Sequence, residues 1–189
     1  MRRSIERLYH LAEADNLASI LEHGLMSTER LVRLAGISEP AATVLLRLSM
    51  GMVIRDQRPM PPAALARALQ EGLQPADWYA LLNSFVFLWP DRERLDRQRR
   101  ACGSRPQILL TFDSGPLLDR FQAEAFVSPI NSGNARRKPA RRGRNTFLPY
   151  AAWPREDWPT GRRGRPPAEF LFRCVIPTHA PYLLDVAKT

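Results

Sequence analysis

The chain has 189 residues, of which 44% are hydrophobic and 25% are charged. This size and composition predict one globular α+β domain over residues 1–189 and exclude a multidomain assembly. The formal net charge is +9, from 28 Lys and Arg against 19 Asp and Glu, and only Lys138 and Lys188 are lysines.

Arginine therefore carries the positive charge, and it is concentrated in one segment. Between Ser132 and Arg165 there are ten basic and two acidic residues. A guanidinium group binds phosphate oxygens in bidentate geometry, so this segment favours a nucleic acid or another phosphate-bearing partner. A solvated loop in an arginine-rich protein explains the charge alone equally well.

The sequence contains no apolar run long enough to cross a bilayer and no apolar region of a secretion signal near Met1. Cys102 and Cys174 do not form a C-x-x-C pair. We therefore expect a cytoplasmic protein with two free thiols, no membrane partner, no disulfide framework and no structural zinc site.

In the N-terminal half, a strand over Arg7–Leu11 is followed by a helix that starts near Asp15 or Asn16 and ends at Gly24. Leu17, Ile20 and Leu21 share one face of this helix. Three more helices are predicted, one after Ser38, one over 63–71, and a short one from Gln74 to Asn83.

The C-terminal half favours strands. An aromatic strand at 84–89 ends at Pro90 and leads into a charged helix over 91–100. Further strands are predicted at 108–112 and 123–127, with a short helix between them, and a last strand at 169–176. Residues 131–168, rich in Gly, Pro and Arg, are predicted to form a long functional loop.

Several common catalytic motifs are absent from the sequence. It contains no G-x-G-x-x-G after a strand, no P-loop, no H-E-x-x-H and no G-x-S-x-G. His10, His23 and His179 are not at metal-ligand spacing, so we expect no metal.

Three patches carry a family resemblance. They are His10 to Leu25, with a strand histidine before N-L-x-x-I-L-x-x-G-L, then Phe85 to Arg94, and finally Ala168 to Ile176, which opens A-E-F-L. In this order they resemble the DarT-type DNA ADP-ribosyltransferases of the wider ADP-ribosyltransferase superfamily. Two further segments, Asp77-Trp78-Tyr79 with Asn83 and Ser128 to Gly133, resemble a related bacterial family without assigned function.

The resemblance implies two small packed sheets that form an NAD cleft, with a helical insertion over 28–82. The part of this insertion from Thr28 to Glu71 is longer than we expect in a DarT-type protein. It implies NAD as co-substrate and a toxin or defence role, with single-stranded DNA as acceptor and an antitoxin as partner. His10 then contacts a ribose hydroxyl, Arg92 or Arg94 meets the pyrophosphate, and Glu169 is the catalytic glutamate. The loop over 131–168 reads the substrate through Arg136, Arg137, Lys138, Arg141, Arg142, Arg144, Arg162, Arg163 and Arg165.

These residue types suit the implied chemistry. Cleavage of the nicotinamide–ribose bond develops an oxocarbenium-like charge, which the carboxylate of Glu169 stabilises while it also deprotonates the nucleophile. Phe87 or Trp89 stacks on nicotinamide. Simpler roles remain open: a structural hydrogen bond for His10, a solvated charge or an ion pair for Glu169, core packing for the aromatic residues and a solvated helix face for the arginines.

Two other functions also remain open. An enzyme of the same fold that transfers an RNA 2′-phosphate to NAD depends on His10 and arginines rather than on Glu169. A basic nucleic-acid-binding module without catalysis binds DNA with steep salt dependence and gains no stability from NAD.

Overall fold

Two antiparallel sheets organise the chain. The structure is a computed structural model that describes residues 5–36, 60–101, 103–134, 139–153 and 166–189. The strands, in chain order, are β1 (Arg7–Glu13), β2 (Val86–Leu88), β3 (Gln107–Asp113), β4 (Ala125–Ser128), β5 (Leu148–Pro149), β6 (Glu169–Phe172) and β7 (Leu183–Lys188). One sheet has the order β1-β3-β7 and the other β2-β6-β4-β5, so the fold is α+β, as the sequence predicts.

The α-helices are α1 (Leu17–His23), α2 (Thr28–Leu34), α3 (Pro62–Ala68), α4 (Pro75–Asn83), α5 (Arg92–Ala101) and α6 (Ser114–Phe121). Short 3-10 helices lie at Ala14–Asn16, Gln122–Glu124 and Arg144–Thr146. Helices α2 and α3 and all of α4 except its last residue fall in the predicted insertion over 28–82, whereas the helix predicted after Ser38 lies outside the described residues. None of the helices in the described ranges has the length and apolarity that crossing a membrane requires.

The central strand β3 of the first sheet and the inner strand β6 of the second are buried along nearly their whole length. In β3 all residues but Asp113 are buried, and in β6 all four are. Strands covered on both faces have continuous apolar runs, which explains why both were visible in the sequence. The main core lies between the sheets and includes Leu110, Phe112 and Phe170, all at most 1% exposed.

A backbone bridge connects the two sheets. Tyr9 N–H donates to Trp89 O at 2.9 Å, and Trp89 N–H donates to Tyr9 O at 2.7 Å. This pair joins β1 to the residue that follows β2. His10, the next residue along β1, is thereby placed beside the end of the second sheet.

The structure corrects three predictions. The strand predicted at 169–176 ends at Phe172, because Ile176 leaves the sheet to pair its backbone with Leu25. The predicted strand at 169–176 is also not the last one, because β7 follows it and pairs with β3. Leu21 does not share the buried face of α1, since it is 51% exposed while Ile20 is 7% exposed.

Candidate functional site

A cleft of about 200 Å³ opens beside the bridge between the sheets. One wall of the cleft comes from β1, from helices α1 and α2 and from the residues between them. The rest comes from the residues around β2, Gln98 of α5, the turn after β4 and the first residue of β6. The predicted site residues His10, Phe87, Trp89 and Glu169 all line it. The cleft therefore brings together side chains from both ends of the described chain.

The orientation of His10 follows from one hydrogen bond. Its Nδ1 lies 2.8 Å from the carbonyl oxygen of Phe87, the middle residue of β2. A carbonyl oxygen only accepts, so Nδ1 of His10 carries a proton and donates it to this bond. The structural role that the sequence left open is thus present.

Glu169 is the first residue of β6 and is only 3% exposed. Its carboxylate accepts the backbone N–H of Ser132, with nitrogen–oxygen distances of 3.2 Å to both oxygens. Burial raises the pKa of Glu169 from its ordinary value of 4.5 to about 7, against the opposing effects of Ser132, Arg142 and Arg94. A solvated carboxylate, the simpler expectation for this position, is therefore wrong.

Arg142 holds the turn that carries Ser132. Its guanidinium group donates to the carbonyl oxygens of Ser132 at 2.9 Å, Asn134 at 2.8 Å and Ala140 at 3.1 Å. Burial lowers its pKa, and the charge of Glu169 opposes that effect. Arg142 is 1% exposed, so the prediction that it contacts nucleic acid is wrong: its donors are used inside the protein.

The aromatic and arginine predictions have different outcomes. Phe87 and Trp89 are partly buried and line the cleft. Within the described part of the chain, the lining includes neither Arg92 nor Arg94. Arg92 pairs with Asp96 at 3.3 Å and Arg94 pairs with Asp91 at 3.4 Å, and the charge of Arg94 also lowers the pKa of Glu169. Of the two, Arg94 is the arginine whose charge reaches the cleft.

Three of the nine predicted nucleic-acid-binding residues, Arg141, Arg142 and Arg144, lie in the described part of the chain. Arg141 and Arg144 are exposed, as a surface role requires. Six others lie outside the described residues: Arg136, Arg137, Lys138, Arg162, Arg163 and Arg165.

The described residues contain no group of three or more His, Cys, Asp and Glu side chains that could hold a metal ion. Burial is the main reason that the pKa of Cys174 rises to about 11. Its sulfur is therefore a thiol at neutral pH and a poor nucleophile.

Several polar residues line the cleft that were not predicted as site residues: Asn16, Ser19, Asn83, Gln98, Asn131 and Ser132. Two of these positions were visible in the sequence as the ends of elements: Asn83 ends a helix, and Asn131-Ser132-Gly133 is a turn sequence shortly after a strand. Such residues cap helices and form turns in most proteins, so their position alone does not single out a site.

A family model described as "Family of unknown function (DUF7002)" matches residues 6–183, which is nearly the whole chain. Neither the curated proteins nor the solved structures gave a match.

Proposed function

The chain belongs to the DUF7002 family, whose function is unknown, and on this premise we propose that it is an NAD-dependent ADP-ribosyltransferase that modifies nucleic acid. The proposal depends on one observation: His10 and Glu169 line the same cleft. The ADP-ribosyltransferase fold is part of the proposal: two small sheets beside a shared cleft agree with it.

The cleft suits the nicotinamide-ribose end of NAD. Ligand sites are mostly apolar with a few well-placed polar groups, and this cleft combines aromatic side chains with a histidine, two glutamates and several amides. Phe87 and Trp89 offer flat faces to the nicotinamide ring. NAD supplies an ADP-ribose unit, with nicotinamide as the leaving group. The residues of the chain must bind NAD and activate the bond between nicotinamide and ribose.

Each side chain has a distinct task in this proposal. His10 accepts a hydrogen bond from a ribose hydroxyl through Nε2, while Nδ1 stays bound to Phe87 O. The Glu169 carboxylate binds the ribose 2′-hydroxyl, stabilises positive charge at the anomeric carbon and accepts the proton of the incoming nucleophile. A pKa of about 7 suits the last task, because a general base works best when its pKa is near the working pH.

Labelled NAD incubated with single-stranded DNA, RNA or protein tests the proposal. We expect label transfer to nucleic acid by the wild type, loss of at least about 100-fold in Glu169→Gln, and full activity in Glu93→Gln, which alters an exposed glutamate. No transfer and no NAD turnover by the wild type would contradict it. Phosphate transfer from a 2′-phosphorylated RNA that survives Glu169→Gln would instead favour the phosphotransferase alternative.

A further inference from the structure

Helix α5 ends in arginines that the cleft does not use. Residues 97–105 contain Arg97, Arg99, Arg100 and Arg105 and no acidic residue. The helix packs against β1 and buries Leu95 to 1% exposure, whereas Arg97, Arg99 and Arg100 are exposed. Exposed arginines are ordinary on a helix surface, so the charge alone assigns no role.

The shape of this surface adds the second observation. Arg99, Arg100 and Arg105 line one concave pocket of about 330 Å³, which we call the arginine pocket. Its other lining residues are Gly103, Gln107 and Thr189. The Thr189 N–H and Oγ1 both donate to Gln107 O, at 3.0 Å and 3.4 Å, so the sheet end supplies a fixed wall. Guanidinium groups from a helix and a loop thus surround one depression, which favours an anion.

The arginine pocket lies directly beside the cleft. Glu13, 4% exposed, lines the cleft, and its carboxylate is 3.2 Å from Nη1 of Arg105, which lines the arginine pocket. Gln98 lines the cleft and is followed by Arg99 in the same helix. The linings of the arginine pocket and of the cleft therefore adjoin at the Arg105–Glu13 pair.

We propose that the arginine pocket binds a backbone phosphate of a single-stranded nucleic acid whose reactive nucleotide enters the cleft. The choice of acceptor rests on the proposed function, whereas the anion site rests on the arginines themselves. A single strand fits better than a duplex, because a base must be free of its stack to enter an enclosed site. Arg99 and Arg100 hold the phosphate, and Arg105, paired with Glu13, fixes the boundary between the two sites.

Fluorescence anisotropy with a labelled oligothymidylate of about 10 nucleotides tests the proposal. The variant Arg99→Gln with Arg100→Gln leaves the Arg105–Glu13 pair intact. We expect its dissociation constant to rise by about 20-fold at about 0.1 M salt, and the slope of log affinity against log salt to fall by about 0.7, which corresponds to one lost phosphate contact. The matched control Arg33→Gln with Arg67→Gln removes the same charge from exposed positions of α2 and α3 and should change affinity by less than about twofold.

The outcomes separate this inference from the proposed function. No oligothymidylate binding by the wild type, or an equal loss in both double variants, would overturn the inference. Loss of NAD-induced stabilisation in Arg99→Gln with Arg100→Gln would also overturn it, because the arginines would then hold the dinucleotide. The expected loss of oligothymidylate affinity without any effect of NAD on the wild type would support the arginine pocket and reject the proposed function.

Discussion

The backbone N–H of Ser132 donates to both carboxylate oxygens of Glu169, at 3.2 Å each. This fixes the carboxylate at the start of β6, and the turn that presents the N–H is in turn fixed by Arg142. The proposed reactive geometry therefore depends on a turn and a buried cation as well as on the two cleft residues His10 and Glu169.

Glu169 makes stability fall as the pH rises. Its pKa is 4.5 ordinarily and about 7 in the folded protein, so between these values the folded state holds a proton that the unfolded state has lost. Its stabilising contribution is complete below pH 4.5 and lost as pH rises through about 7, a change of about 3 kcal/mol. Urea unfolding of wild type and Glu169→Gln between pH 5 and 8 should show this loss only in the wild type. Parallel curves for the two proteins would contradict it, and Glu93→Gln should follow the wild type.

Arg142 should act as a positioning residue for Glu169. In Arg142→Gln the carbonyl oxygens of Ser132 and Asn134 lose their charged donor, which should cost about 3 kcal/mol of unfolding free energy. The pKa of Glu169 should rise further, so the pH at which NAD turnover is half-maximal moves upward. Arg142→Lys keeps the charge and should restore the pH profile more fully than the stability.

The exposed Arg144 provides the matched control for Arg142. Arg144→Gln should leave both unfolding free energy and pH profile close to those of the wild type. If Arg142→Gln lowers stability but leaves the pH profile unchanged, Arg142 is only structural.

Two substitutions at His10 should separate its contribution to folding from its contribution to NAD binding. Asparagine at position 10 keeps an amide donor near the position of Nδ1, and so the bond to Phe87 O, but lacks Nε2. His10→Asn should keep the free energy of unfolding within about 1 kcal/mol of the wild-type value and lower kcat/KM for NAD by at least about tenfold. His10→Ala should lower both the free energy of unfolding and kcat/KM. Full activity in His10→Asn would show that only the bond to Phe87 matters.

Gly24 shapes the cleft through a close backbone approach. Its φ is +83°, and a Cβ there would lie 2.6 Å from Val175 Cγ1 and 2.9 Å from Ile176 O. Gly24→Ala should therefore lower the unfolding free energy by about 3 kcal/mol or more. Gly72 has φ +70°, and a Cβ added there would meet nothing within 4 Å, so Gly72→Ala should cost only about 1 kcal/mol. If urea unfolding showed equal losses of unfolding free energy in Gly24→Ala and Gly72→Ala, the close approach of Gly24 to Val175 and Ile176 would be unimportant.

The sequence predicted the parts of the fold that local patterns determine. The strand that carries His10, the aromatic strand β2 and the apolar run of β3 were visible because burial on one or both faces dictates their residues. β7 was missed because all six of its residues are partly buried or exposed, and they include Asp185 and Lys188. Its place in the sheet comes from pairing with β3, a long-range contact.

The candidate site likewise contains residues whose place the sequence predicted and one whose role only the tertiary structure shows. His10 and Glu169 were selected by resemblance, and the structure places both in one cleft. Arg142 was predicted as a surface residue because it belongs to an arginine-rich segment, and only tertiary structure shows that three carbonyl oxygens surround its guanidinium group. Sequence composition cannot distinguish one buried arginine from its exposed neighbours.

Thermal unfolding with and without NAD tests the central claim, that His10 and Glu169 form one NAD site, most directly. At NAD about 1,000-fold above its dissociation constant, the wild type should gain about 4 kcal/mol of stability, seen as a higher Tm, and His10→Asn should gain much less. An unchanged Tm for the wild type at millimolar NAD, or an equal rise in His10→Asn, would contradict the account.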